Sequence, residues 1–375
     1  MRVLHLGKYY PPSPGGMETV LANLAEGLVA AGDDVTVLVA GGNGAPPLQA
    51  VEGPGRPAGG RVIRLPVQGL LNSQPLVLDL PAALRRVLAA YRPELVHLHL
   101  PNPLAAAGWM LLRAGGVALP PLVVWHHADM TRQRVGRFLV GPVVQGCLAA
   151  AAGICVSSGA LREGSRELRR WRDKVEVIPF GIVPEPWCSI EPSRGPRFLF
   201  VGRLVAYKGL DSLLEALQLT PDLEVDIVGD GPLGPRLRRT VAAGDLRDRV
   251  AVHGWVPESE LVRLMGRSRA LVLPSLDAGE TFGLVQLEAM ASGLPVIASD
   301  LPTGVAEVGI RDRTTILCPP GDGAALAAAM AGLLADGERA AAMGIAGRRL
   351  FRERYHRDSM VSGLRRWYAG ILAAG

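Results

Sequence analysis

The residues best suited to chemistry lie between Leu273 and Thr303. A short apolar strand, Ala270–Pro274, leads into Glu280-Thr281-Phe282-Gly283-Leu284-Val285, and a helix carrying Glu288 runs on to Met290. Carboxylates are poor neighbours for phosphate but good acceptors for sugar and ribose hydroxyls. The spacing predicts Glu280 just before the helix, with free N–H groups at Phe282, Gly283 and Leu284 opening it. Glu288 should lie about five residues inside, roughly 7.5 Å further along the axis. A ligand with hydroxyls at both ends and phosphate between them fits this order, and a nucleoside diphosphate sugar has that shape.

A second segment supplies positive charge. Phe198–Gly209 reads as a buried strand that delivers Arg203 at its end, with Lys208 five residues later at a helix entrance. Two cations beside free N–H groups suit a diphosphate. The chain uses 37 Arg and only three Lys, and one of those lysines falls here. A pair of plain surface cations is the alternative reading. Near the start, Gly15 and Gly16 open a helix after the strand Arg2–Leu6, where a backbone without Cβ lets an anion approach.

Two apparent motifs lead elsewhere. Gly229-Asp230-Gly231-Pro232-Leu233-Gly234 matches Gly-x-Gly-x-x-Gly after a strand. The next strand, Val250–His253, ends in Gly254 and Trp255 with no carboxylate for a ribose, so NAD binding is not expected. His97 and His99 alternate on one strand and, without a third ligand, read as core residues. No Asp-x-Asp sits at a strand end, so neither a metal site nor a metal-bound diphosphate is indicated.

These residues need a frame that brings strand ends together. Short apolar runs alternate with helical patterns along nearly the whole chain, which predicts parallel sheets flanked by helices. The strands expected in the first half are Arg2–Leu6, Asp34–Ala40, Arg61–Pro66, Leu95–Leu100, Leu122–His126, Gly153–Ser157 and Val175–Pro179. Those of the second half are Arg197–Gly202, Glu224–Gly229, Val250–His253, Ala270–Pro274, Pro295–Ser299 and Thr315–Cys318. Thirteen strands exceed one ordinary doubly wound sheet, so two domains are expected, with ligands in a cleft at the carboxyl ends of the strands. Prolines 184, 186, 192 and 196 place the break within Gly181–Pro196. The expected boundaries are 1–183 for the first domain and 184–351 for the second, with a last helix over about 352–375.

Length and composition agree with this α/β reading. The chain has 375 residues, of which 49% are hydrophobic and 20% charged, enough to build two cores. Phe138–Leu161 lacks charge for a membrane-spanning length, but Gly141-Pro142, Gly153 and Ser157-Ser158 interrupt it. A helix over about 131–151 followed by the strand Gly153–Ser157 accounts for it. Four scattered cysteines with no Cys-x-x-Cys, and no leader-like apolar start, predict a cytoplasmic protein. The net charge of +5 belongs wholly to the first half, with 19 basic and 14 acidic residues up to Gly195 and 21 of each afterwards. Arg132, Arg134 and Arg137 lie in that half, compatible with a solvated face or with an anionic membrane surface. No basic run is interleaved with aromatics, so nucleic acid is not an expected partner.

The ordered motifs Gly15-Gly16-Met17-Glu18, Ile178-Pro179-Phe180-Gly181, Gly202-Arg203, Lys208-Gly209, Gly229-Asp230-Gly231-Pro232 and Glu280 through Glu288 resemble the retaining glycosyltransferases of family 4. Ala289–Val296 and Pro319-Pro320-Gly321-Asp322 extend the resemblance over nearly the whole chain. It implies the GT-B fold, with two facing Rossmann-like domains and an inter-domain cleft, and a C-terminal helix crossing back to the first domain. It also implies transfer of a sugar from a nucleoside diphosphate sugar to a hydroxyl of a glycan or lipid-linked acceptor. No cofactor or metal is implied.

By that resemblance, Arg203 and Lys208 bind the donor diphosphate and Glu280 holds hydroxyls of the transferred sugar. Phe282, Gly283 and Leu284 lie alongside through their backbone, Glu288 binds the ribose, and Val256 lies near the base. Gly15 and Gly16 approach the phosphates, and Gly229 lines the donor site. His127 contacts the donor sugar, with His126 as the alternative. Thr303-Gly304 is nearer to a mannosyltransferase subgroup of surface-polysaccharide assembly. That favours mannose as the sugar, while the basic excess of the first half suits a lipid-linked or phosphorylated acceptor at the inner face of the cytoplasmic membrane. Acceptor pockets are expected in the loops Gly41–Gly60 and Gln68–Gln74. A nucleotide-sugar epimerase, or an inactive nucleotide-sugar binder, on the same scaffold is the alternative.

Overall fold

The computed structural model describes residues 1–42, 46–53, 56–71, 74–130, 134–189 and 195–374. They form two compact units, Met1–Gly181 with Arg357–Gly375, and Ile182–His356.

The first unit is built on the strands β1 (Arg2–Leu6), β2 (Asp34–Ala40), β3 (Leu48–Gly53) and β4 (Arg56–Leu65). After the hairpin of β5 (Gly69–Leu71) and β6 (Gln74–Leu76) come β7 (Leu95–Leu100), β8 (Leu122–His126), β9 (Gly153–Val156) and β10 (Val175–Val177). The sheet order is β10-β9-β8-β7-β1-β2-β4-β3. Every pairing is parallel except that of β3 with β4.

Both faces of this sheet are covered, which is why its strands read as nearly unbroken apolar runs. On one face Leu4, Leu6, Val96, Leu98, Leu100, Leu122 and Val124 pack with Leu84, Trp109 and Leu148 of the flanking helices. The opposite face carries His5, His97, His99 and Trp125, all buried. Two helices cover that face, Gly16–Ala30 and the C-terminal Arg357–Ala374. They touch closely enough that a Cβ at Gly27 would lie 2.5 Å from Val361, and the last helix lies so near β9 that a Cβ at Gly153 would lie 2.7 Å from Trp367. The Tyr368 hydroxyl hydrogen-bonds His97 Nδ1.

The second unit contains β11 (Phe198–Val201), β12 (Val225–Val228), β13 (Val250–Gly254), β14 (Leu271–Leu273), β15 (Val296–Ser299) and β16 (Thr315–Cys318). Its order is β13-β12-β11-β14-β15-β16, parallel throughout. Phe198, Phe200, Val225, Ile227 and Val272 pack on Leu213, Ala216, Met330 and Leu333 of two covering helices.

The alternation of apolar runs and helices located all the main strands. It missed β3, β5 and β6. Leu48-Gln49-Ala50-Val51-Glu52-Gly53 has little β character of its own and pairs only with β4, at the edge. The uncharged stretch folds as the helix Arg134–Ala150 followed by β9, and no helix among the described residues is long and apolar enough to cross a membrane. Arg132 lies outside the described residues, as do the side chains of Arg134 and Arg137 and parts of the loops Gly41–Gly60 and Gln68–Gln74.

Candidate active site

In the second unit, the parallel order β13-β12-β11-β14 sets four strand exits side by side. Gly202 and Arg203 follow β11, Gly229 follows β12, Trp255 and Val256 follow β13, and Ser275 follows β14. This carboxyl edge is where open parallel sheets hold ligands. Glycines let the exits approach one another. A Cβ at Gly229 would collide with the carbonyl oxygen of Gly202, so Gly229 supports the exit of β11 from behind. Gly209 has φ +70° and a Cβ there would strike the carbonyl oxygen of Pro274. That contact sets the turn Ala206–Lys208 against the end of β14.

Lys208 and Glu280 meet within this frame. Lys208 Nζ lies 2.5 Å from Glu280 Oε2, with both side chains close to nine-tenths buried. Ser275 Oγ donates a hydrogen bond of 3.1 Å to the same carboxylate oxygen. Lys208 also packs under Gly202, whose Cβ would lie 3.2 Å from Nζ. A buried ion pair repays its desolvation only with good geometry and further hydrogen bonds, and Ser275 supplies one. Arg203, in contrast, is exposed and makes no ion pair among the described residues.

The helix after Glu280 begins later than its sequence suggests. It spans Val285–Ala291, so Phe282, Gly283 and Leu284 form a turn before it. Gly283 has φ +74° and its Cβ would lie 2.7 Å from Leu273, so the turn needs a glycine there. Phe282 is buried. Glu288 is the fourth residue of the helix, nearer its start than expected. Burial raises its carboxyl to about 7, with the negative charge of Glu258 adding to the effect. Glu258 opens the helix that follows Val256, which brings the Val256 loop towards Glu288.

In the first unit, Gly15 and Gly16 stand at the start of their helix as expected, and a Cβ on Gly15 would collide with the Glu18 carboxylate. Burial raises the Glu18 carboxyl, while its own amide and Lys8 oppose the rise. His126 and His127 leave β8 on opposite sides. His126 Nε2 meets Asp129 Oδ1 at 3.0 Å, and Asp129 Oδ2 accepts from the Arg166 amide at 2.8 Å. His127 Nε2 meets His99 Nδ1 at 3.0 Å, and its ring stacks on those of Trp125 and Phe180. Burial, then the neighbouring His99 and His126, hold the His127 imidazole well below its ordinary range.

Residues not singled out from sequence join these constellations. Ser275 follows a strand-ending proline and carries no chemical signal until Glu280 is seen to fold back on it. His5 supplies a third imidazole beside His97 and His99, because β1 and β7 pair in the register His5↔His97. Nitrogens of His5, His97 and His99 lie within 4.8 Å of one another, as do ligand atoms of His126, Asp129 and Glu167. In the first group His5 Nδ1 bonds His99 Nε2, His99 Nδ1 bonds His127 Nε2 and His97 Nδ1 bonds the Tyr368 hydroxyl, while His5 Nε2 has no partner among the described residues.

Comparison with known proteins shows the family. The model of the Glycosyl transferases group 1 matches residues 187–350, and that of the Glycosyl transferase 4-like domain matches residues 15–181. The D-rhamnosyltransferase WbpZ of Pseudomonas aeruginosa is 35% identical over 357 residues, 92% of this chain and 89% of that protein. The O-antigen chain mannosyltransferase C of Escherichia coli is 29% identical, covering 99% of each chain. Among solved structures, the sucrose-phosphate synthase of Thermosynechococcus elongatus superposes with a TM-score of 0.82 at 24% identity over 100% of both chains, and so shares the GT-B fold. With both halves matched in order and a relative of such identity spanning nearly its whole length, the chain belongs to the group 1 glycosyl transferases, with a 4-like first domain.

Proposed function

We propose that this protein is a retaining glycosyltransferase that moves a hexose from a nucleoside diphosphate sugar to a hydroxyl of a glycan or lipid-linked acceptor. Mannose is the favoured sugar, and cell-surface polysaccharide or glycolipid synthesis the favoured setting. The relatives named as mannosyl- and rhamnosyltransferases, the O-antigen enzyme among them, support the setting. The observation that carries the reading is the buried Lys208–Glu280 pair at the carboxyl edge of the second sheet. It presents a cation for phosphate beside a carboxylate for sugar hydroxyls.

In this reading Arg203 and Lys208 take the donor diphosphate, Glu280 the sugar hydroxyls, and Glu288 the ribose. The turn Phe282-Gly283-Leu284 supplies backbone groups, and Val256 lies by the base. Gly15, Gly16 and His127 contribute from the first domain. The acceptor hydroxyl attacks the anomeric carbon on the face from which the diphosphate departs, and its proton passes to the departing phosphate oxygen, so configuration is kept. Charge on the leaving group is stabilised by Arg203 and Lys208, without a metal. The protein is proposed to work at the cytoplasmic side, peripherally on an anionic membrane surface, for which the excess of basic residues in the first half is the support.

Incubation with GDP-, UDP- and ADP-sugars and polyprenyl-diphosphate-linked acceptors, with and without EDTA, tests the reaction by NMR. The expected result is release of one nucleoside diphosphate with an α-linked product from an α-donor, undiminished by EDTA. A β-linked product contradicts retention, and a sugar epimerised without nucleotide release points to the epimerase. Arg203→Ala should lower turnover by about 10²–10³-fold, as loss of a group stabilising transition-state charge does; near-parental turnover would remove Arg203 from the diphosphate site.

Glu288 gives a signed pH dependence. Its carboxyl titrates near 7, so the ionised acceptor for ribose hydroxyls is lost as pH falls below 7, and the donor KM should rise there. Stability runs the other way. The folded state holds this proton more tightly than the unfolded chain, so stability falls as pH rises from about 4.5 to 7. Glu288→Gln should therefore raise the melting temperature at pH 8 while weakening the donor. A donor KM flat from pH 6 to 8 would contradict the assignment.

A further inference from the structure

A row of buried imidazoles leads from the interior of the first unit to His127. His5 Nδ1 lies 3.1 Å from His99 Nε2, and His99 Nδ1 lies 3.0 Å from His127 Nε2. His5 and His99 are 0% and 3% exposed, and His127 is 4% exposed. The rings of His99 and His127 stack 5.3 Å apart, with Trp125 and Phe180 against His127. The row is neutral. Burial holds all three imidazoles below their ordinary range, His5 down to about 3.

Three neutral imidazoles share three N–H hydrogens, one each, and each of the two bonds between them needs one. Only two alignments satisfy both bonds. In the first, His5 Nδ1–H donates to His99, His99 Nδ1–H donates to His127, and His127 carries its remaining hydrogen on Nδ1. In the second the bonds run backwards, and the leftover hydrogen falls on His5 Nε2. That nitrogen is sealed from solvent and has no partner among the described residues. A buried N–H with no acceptor is the rarer defect, and a buried lone pair the more tolerated one. His127 Nδ1, unlike His5 Nε2, is not among the sealed atoms without partners. The first alignment therefore leaves the idle lone pair inside and the free N–H at the open end.

We infer that His5 and His99 are positioning residues that hold His127 in its Nδ1–H tautomer, so that it offers a hydrogen-bond donor and neither a cation nor a base. The functional consequence rests on the proposed contact between His127 and the donor sugar. A fixed N–H there recognises a hydroxyl or ether oxygen of the sugar and cannot take the proton of an acceptor hydroxyl. The tautomer itself does not depend on that contact.

The test is a two-bond 1H–15N correlation spectrum of the full-length protein with 15N-labelled histidine, the His127 signals being assigned by their loss in His127→Gln. The parent should show His127 protonated at Nδ1 and bare at Nε2. His99→Leu removes the donor to Nε2, and His127 should then populate the other tautomer. His99→Asn places an amide N–H near the former Nδ1 and should restore the parental pattern. Turnover should follow, falling about 10–100-fold in His99→Leu and returning close to the parental value in His99→Asn at unchanged melting temperature. An imidazolium or an Nε2–H His127 in the parent overturns the inference, even if His99→Leu fails to fold. So does an unaltered His127 signal in a folded His99→Leu. Full activity in His127→Gln would overturn the sugar contact instead, and leave the tautomer assignment standing.

Discussion

A lysine and a glutamate buried against each other at the edge of a sheet are costly to assemble, and much of the second unit is arranged around keeping them there. Removing either partner would strand a charge away from water, a loss of about 3–5 kcal/mol. The frame that prevents this is backbone. Gly209 turns under the Pro274 carbonyl, Gly229 backs onto Gly202, and Ser275 donates to Glu280 from the exit of β14. Each contact works only because four parallel strands end in one row. The pair is also a poor final state for its members, since phosphate and sugar hydroxyls can offer each of them a stronger set of bonds than they offer each other.

The first unit solves a related problem by other means. Its sheet buries polar rings on one face, beneath the helices Gly16–Ala30 and Arg357–Ala374. Satisfied polar networks in a low-dielectric interior define a unique arrangement, whereas an incomplete one is expensive. His97 is completed by Tyr368, which arrives from the far end of the chain. The last helix is thereby a component of the first unit's interior as well as a cover for it.

Much of this was legible in the sequence because it depends on local pattern. Alternating apolar runs and helical periods located the strands, and strand-end cations singled out Arg203 and Lys208, as the spacing before a helix singled out Glu280, without knowledge of the sheet order. What stayed hidden depends on which strands become neighbours. His5 gives no sign of meeting His97 until β1 and β7 are known to pair in register, so the two alternating histidines lacked their third member. Ser275 belongs with Glu280 only once the turn between them folds back. The helix start was placed too early because Gly283, at φ +74°, breaks the turn that the apolar spacing suggested was already helical. The edge strand β3 was missed because its pairing with β4, and not its composition, makes it a strand.

In the proposed function, Lys208 and Glu280 divide one donor between them, diphosphate to the lysine and sugar to the glutamate. Calorimetric titration of the parent, Lys208→Ala and Glu280→Ala with the cognate nucleoside diphosphate and its sugar nucleotide tests that division. Lys208→Ala should bind both ligands at least about tenfold more weakly, the equivalent of 1.4 kcal/mol. Glu280→Ala should keep its affinity for the diphosphate and lose only the increment due to the sugar. Equal losses for both ligands in Glu280→Ala, or parental affinities in Lys208→Ala, would contradict it.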